Sequence, residues 1–229
     1  MLIISSNNKE DISIPERLNK FNSALNEQTL FLLIRPEKKV YENESERKLF
    51  ESNIQKVINK GLINIEIAWN KNKNWLDLVS GLRSKFPYIN LGSASIIDKQ
   101  GINDSIKIGL NYSMMKFWQK EIYLFAKKKN YLLIPGIKNL KDLKKAISLN
   151  CKIVKIYPIN EKESSLNINK FSTQLSFIAA GGLSISDIKY IKSLGYKGVV
   201  VGKNAFNGNA FNSDVLRWLE LNHNKKVIN

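Results

Sequence analysis

The chain has 229 residues and a formal net charge of +16, from 36 lysines and arginines against 20 aspartates and glutamates. A single cysteine, Cys151, and a single histidine, His223, exclude an intrachain disulfide and a Cys/His zinc site, and no run approaches the roughly 18 apolar residues of a membrane helix. The lysines are spread along the chain with asparagine and isoleucine instead of forming a stripe with interleaved aromatics, so their field is expected to attract small anions rather than nucleic acid.

Met1 to Asn8 carries neither a basic leader nor a long apolar core, so no signal peptide is expected; with one cysteine, the reading is a reducing, cytoplasmic setting. Pro15 to Asn26 has a helical period, with Leu18, Phe21 and Leu25 on one stripe. Thr29 to Ile34 reads as a buried strand closed by Arg35-Pro36, and Glu44 to Lys60 as a helix stopped by Gly61. A second strand, Leu62 to Ala68, precedes a helix over Asn74 to Lys85 and a third strand, Tyr88 to Ser95. A weak helix near Gly101 to Lys107 leads to a fourth strand, Leu110 to Met115, and a helix over Gln119 to Lys129. The fifth strand is Tyr131 to Ile134, with a helix at Asn139 to Leu149, and the sixth is Lys152 to Tyr157. After a polar stretch, Asn160 to Asn169, come a seventh strand (Leu175 to Ala179), a helix (Ser184 to Leu194), an eighth strand (Lys197 to Val201) and a last helix within Asn212 to Leu221.

Eight short strands, most followed by a helix, predict right-handed crossovers and one parallel sheet closed into a (β/α)8 TIM barrel with an extra N-terminal helix. No Pro/Gly/Ser-rich linker divides the chain. Residues 1–229 are therefore read as one domain, with a core of about 29–206, an N-terminal helix at about 15–27 and a C-terminal helix and tail at about 212–229.

The barrel gives two charged residues meaning. Side chains alternate along a strand, so Ile63, Ile65 and Ile67 face the helices and Asn64 and Glu66 face inward. In the sixth strand Ile153, Lys155 and Tyr157 share one side. A charge inside such a sheet is costly unless it is paired or neutralised, and a lysine that sheds its proton is a nucleophile for carbonyl carbon. Glu66, near the strand's C-terminal end, sits where these barrels keep catalytic groups. A plain buried Lys–Glu pair, or a lysine reaching out along the strand end, accounts for the same residues. Ala180-Gly181-Gly182-Leu183 follows the seventh strand and Val201-Gly202-Lys203 the eighth, the two loops that bind phosphate in this fold.

Taken together these segments resemble the 2-keto-3-deoxy-6-phosphogluconate (KDPG) and 4-hydroxy-2-oxoglutarate (KHG) aldolases. The resemblance runs from about Thr29 to Phe206. It rests on Ile65-Glu66-Ile67, Leu133-Ile134-Pro135-Gly136-Ile137, Lys155-Ile156-Tyr157-Pro158, Ala180-Gly181-Gly182-Leu183, and Arg35 at the end of the first strand. It implies a class I aldolase with Lys155 as Schiff-base lysine and Glu66 as proton shuttle. It also implies no metal or organic cofactor, a homotrimer, and a phosphorylated or carboxylate-bearing 2-oxo acid cleaved to pyruvate and an aldehyde. Arg35, Asn70, Ser95, Tyr157, Gly181, Gly182, Gly202 and Lys203 would then bind substrate and phosphate. The sequence departs from the family at Asn70, where an arginine is usual, and at Ala94-Ser95 in place of Gly-Thr. Met115-Lys116-Phe117 replaces Ser-Pro-Gly, and Lys203 replaces a serine. Two other readings stay open: a non-aldolase phosphate-binding barrel enzyme, which has no need of a lysine within the sixth strand, and a non-catalytic relative that binds an anionic metabolite.

Overall fold

A computed structural model describes residues 12–159, 168–208 and 210–223; the leader reading of Met1 to Asn8, most of the polar stretch Asn160 to Asn169, and residues 224–229 lie outside them. The strands are β1 (Leu30–Ile34), β2 (Asn64–Ala68), β3 (Asn90–Ile96), β4 (Tyr112–Met115), β5 (Leu133–Ile134), β6 (Gly136–Ile137), β7 (Ile153–Ile156), β8 (Ser176–Ala180) and β9 (Gly198–Val201). They pair in the order β5-β4-β3-β2-β1-β9-β8-β7-β6, every pair parallel.

The two ends of that order, β5 and β6, are consecutive in the chain and separated by Pro135 alone. Proline has no N–H to give the ladder, which splits the predicted fifth strand. Its carbonyl still accepts the Lys155 amide at 2.9 Å. The ring therefore closes through one broken strand, giving the expected (β/α)8 architecture; the predicted sixth, seventh and eighth strands are β7, β8 and β9.

Helices α1 (Ile14–Glu27), α2 (Lys38–Glu42), α3 (Glu44–Asn59), α4 (Trp75–Lys85), α5 (Lys99–Ile108), α6 (Lys120–Lys128), α7 (Leu140–Ser148), α8 (Ile188–Ser193) and α9 (Ser213–His223) are present among the described residues. Two elements differ from expectation. The five-residue α2 is too short to show a period, yet Val40 and Tyr41 are buried by it. The helix predicted from Ser184 opens as a tight 3-10 turn over Ile185–Asp187 before α8 begins.

Strand alternation sorts the core into two layers. Leu30, Leu32, Ile65, Ile67, Val154, Ile156, Val199 and Val201 belong to the outer layer under the helices. Phe31, Tyr112, Met114, Ile134, Ile153, Ile178 and Val200 fill the interior. α1, capped by the Ser13 side chain with Pro15 in its first turn, drives Phe21 and Leu25 into the interior layer from the end where the strands begin. Burying a side chain such as Phe21 contributes about 1.5–3 kcal/mol. Polar contacts fix this stopper: Arg17 donates to the Leu110 carbonyl at 3.0 Å, and the Asn64 amide to the Gln28 carbonyl at 2.9 Å. With one end of the barrel plugged, access to the interior is left at the strand C-termini.

Candidate active site

Glu66 is the third residue of β2, and Lys155 the third of β7; both point inward and are buried at 1% and 6% exposure. They line a cavity of about 570 Å³ at the C-terminal mouth of the barrel, together with Arg35, Ser95, Tyr157, Gly181, Gly182, Gly202 and Lys203. That volume suits a small-molecule ligand. Four basic side chains (Arg35, Lys116, Lys155 and Lys203) and one carboxylate border it, so it favours anions. A larger cavity, about 700 Å³, lies outside the ring beside Val40 and Phe50 and shares Arg35 and Lys203 with the mouth. It contains neither Glu66 nor Lys155, and its Lys39 pairs with Glu46 at 3.2 Å and Glu37 at 3.7 Å. Of the two spaces, the smaller one is lined by both Glu66 and Lys155.

Burial dominates the electrostatics. Losing water raises the Glu66 carboxyl above the usual carboxylate range, and the Lys155 ammonium, the nearby Tyr112 hydroxyl and the Arg35 guanidinium pull it partly back. Burial likewise lowers the Lys155 ammonium; Glu66 opposes that shift and Arg35 adds to it. Both shifts increase the neutral forms. Neither Glu66 oxygen has a hydrogen-bond partner of standard geometry, so the pair faces across the interior without closing into an ion pair. The Lys155 ammonium lies 5.5 Å from the centroid of the Tyr157 ring, a cation–π distance. A plain ion pair would satisfy its own hydrogen bonds; this arrangement keeps an amine and a carboxyl group available.

The rim is built by backbone. Ser95 has φ 62° at a register irregularity between Ser93 and Ile96, a conformation that L residues seldom adopt, and it lines the mouth. Gly181, at φ 112°, would bring a Cβ to 2.9 Å from Pro158 Cα, so a side chain there would strain the turn and collide with the chain after β7. Asn204 donates to the Gly182 carbonyl at 2.8 Å and ties the loop after β8 to the one after β9. The first amide of the turn after β8 is already used: Asp187 accepts from the Ser184 N–H at 2.7 Å and from its hydroxyl at 2.7 Å. The Ser184 amide is therefore not free to meet an anion at the mouth.

One predicted site residue stands apart. The Asn70 side chain donates to the Tyr41 hydroxyl at 2.9 Å and accepts from the Asn72 amide at 2.9 Å, starting a chain of turns outside the cavity. The neighbouring Trp69 lines the mouth instead, with its indole N–H held by Asp104 at 2.9 Å. Sequence reading missed Trp69, because a tryptophan at a strand end reads equally well as core. Leu33, Val200 and Asn204 also line the cavity and carried no distinguishing signal. Among the described residues no group of three or more His, Cys, Asp or Glu is placed to hold a metal.

A family model described as "KDPG and KHG aldolase" matches residues 41–217. The KDPG aldolase of Legionella pneumophila, solved with pyruvate captured as a covalent carbinolamine, superposes with a TM-score of 0.70 at 15% identity, covering 87% of this chain and 96% of that one. The Zymomonas mobilis enzyme with 3-phosphoglycerate gives a TM-score of 0.71 at 14% identity, covering 89% and 95%. By sequence, a phosphoribosyl-type imidazole-4-carboxamide isomerase from Caldanaerobacter subterraneus subsp. tengcongensis is 28% identical over 170 residues, 68% of this chain and 66% of that protein, just under two thirds of its length. The structural likenesses establish the shared barrel.

Proposed function

The chain belongs to the KDPG and KHG aldolase family, and from that premise we propose that it is a Schiff-base lyase cleaving a 4-hydroxy-2-oxo acid to pyruvate and an aldehyde. The observation that carries this reading is a buried lysine and a buried carboxyl group facing one small, cation-bordered cavity, each shifted toward its neutral form. The neutral amine of Lys155 attacks C2 of the 2-oxo acid, and Glu66 in its acid form protonates the carbinolamine hydroxyl, which leaves as water to give an iminium. The carboxylate of Glu66 takes the proton of the C4 hydroxyl, the C3–C4 bond breaks toward the iminium, and the aldehyde leaves. The enamine that remains is protonated at C3, and water returns the amine and releases pyruvate. No step calls for an added metal or organic cofactor.

Arg35 and Lys116 are the rim cations suited to the substrate carboxylate, and Gly181, Gly182, Gly202 and Lys203 to a distal phosphate or second carboxylate. KDPG-like and KHG-like 2-oxo acids, which give glyceraldehyde 3-phosphate or glyoxylate, are the substrates to test first.

The test is incubation with pyruvate and borohydride. One reduced pyruvyl group is expected on the peptide that contains Lys155, and Lys155→Ala should remove it; labelling that survives this substitution or falls on Lys152 overturns the assignment. A second reading, a sugar-phosphate isomerase, is favoured by the likeness to the phosphoribosyl isomerase. It predicts no adduct.

A further inference from the structure

The mechanism above leaves one interior group unused. Glu66, Gly92 and Tyr112 are register partners across β2, β3 and β4, so they lie side by side in one layer of the barrel. The middle position is empty for a reason. A Cβ on Gly92 would lie 2.5 to 2.7 Å from atoms of the Tyr112 ring, which therefore lies over the glycine, on the strand between Tyr112 and Glu66. Phe21 packs edge-on at 4.6 Å and Phe31 at 6.3 Å between ring centroids, fixing the ring. The buried side-chain oxygens and nitrogens without a hydrogen-bond partner are, among the described residues, the two Glu66 oxygens and the Tyr112 hydroxyl. Buried polar atoms are normally paired, and these three share one layer with nothing to pair with but one another.

We propose that Tyr112 is a positioning residue for Glu66: its hydroxyl donates to one carboxylate oxygen, leaving the other turned toward Lys155 and the substrate. This rests on the aldolase reading for its consequence in turnover, but not for its geometry. Burial and the facing carboxylate hold the Tyr112 phenol well above its ordinary value, so it remains a donor at any working pH. The other groups that bear on the pair are Lys155 from β7, Arg35 after β1, and Tyr131 ahead of β5, which acts on Tyr112. Lys155 and Arg35 also favour ionised Glu66, so the hydroxyl modulates the carboxylate without acting alone.

Tyr112→Phe keeps the ring and removes the donor. The acid limb of the kcat profile should move to higher pH by about one unit, because a hydrogen bond to a charged group is lost. kcat should fall roughly tenfold at neutral pH, with KM changed by less than about twofold because uniform binding is untouched. 3-Fluorotyrosine at position 112, a stronger donor of similar shape, should move the limb the other way. A fall in kcat with the profile unmoved, or shifts of the same sign in both proteins, overturns the proposal. A readout independent of turnover is the infrared carboxyl band that Glu66→Gln deletes. It should titrate at higher pH in Tyr112→Phe, and an unchanged titration overturns the proposal. If the unsubstituted protein gives no pyruvate adduct while the band behaves as expected, the aldolase reading fails and the Tyr112–Glu66 contact stands.

Discussion

Asn64 and Glu66 sit two residues apart on one strand, face the same way, and are 0% and 1% exposed, yet they live in opposite circumstances. The Asn64 amide donates to the Gln28 and Ala24 carbonyls at 2.9 and 3.4 Å, and its oxygen accepts from Asn90 at 2.8 Å. Gln28 in turn reaches the Gly61 carbonyl and the Ile63 amide at 2.9 and 3.0 Å. One layer higher, Glu66 has no partner of standard geometry. The lower polar group is consumed by structure, because its bonds tie β2 to the end of α1 and to β3. The upper one, apart from the Tyr112 hydroxyl beside it, is left with capacity unspent, and that capacity is what a reaction can use. Burial alone does not separate a structural polar residue from a chemical one; the number of satisfied bonds does.

The contrast breaks most sharply at Glu66. Glu66→Gln keeps shape and size but cannot exchange protons, so kcat should fall by about 10²–10⁴. Measured steady-state rates that stay within tenfold of the parent would assign the proton transfer elsewhere.

Stability sharpens it next. Glu66 holds its proton more tightly folded than unfolded, so its contribution to stability is full below the unfolded value of 4.5 and is lost as pH rises through about 7. Lys155 holds its proton less tightly folded, so its contribution is full above 10.5 and is lost as pH falls through about 8. The pair is thus least favourable between about 7 and 8, where the protein would work. The double variant Glu66→Gln/Lys155→Met should gain about 1–4 kcal/mol in urea unfolding in that window and lose the dip. A flat or negative change there would mean the pair stabilises the native state.

The smallest effect is expected at the lower layer. Asn64→Ala leaves the Asn90 amide and the Gln28 carbonyl unpaired, at a cost of about 1–3 kcal/mol in stability. KM should not move. A raised KM with unchanged stability would contradict the division between the two layers.

How far this was legible depends on the kind of signal. Lys155 and Glu66 were readable because a charge breaks an apolar alternation, and the glycine pair because its place after a strand is informative. The barrel followed from the repeated strand–helix rhythm. Tyr112 was invisible, since an aromatic on an inner strand is the expected filling, and only the missing Cβ of Gly92 betrays its tilt. Asn70 was placed in the pocket by resemblance, but a turn of three asparagines takes its side chain to Tyr41, and Trp69 occupies the rim. The break at Pro135 was written in the sequence; what it does, closing the ring through two halves of a strand, depends on neighbours far along the chain.

The stopper helix has one more consequence, for the order in which the protein takes shape during synthesis. α1 is made before every strand of the ring, but its socket is assembled from Phe31, Tyr112, Ile134, Ile153, Ile178 and Val200, which are spread from the first strand to the last. Its bond from Arg17 to Leu110 bridges 93 positions of sequence. Contacts of such separation form late, after intervening loops have been closed. The helix therefore leaves the ribosome with an apolar stripe and nothing to cover it until the ring is complete. The element that emerges before the ring is the one that docks last, and the nascent chain carries that exposed stripe until the final strand is in place.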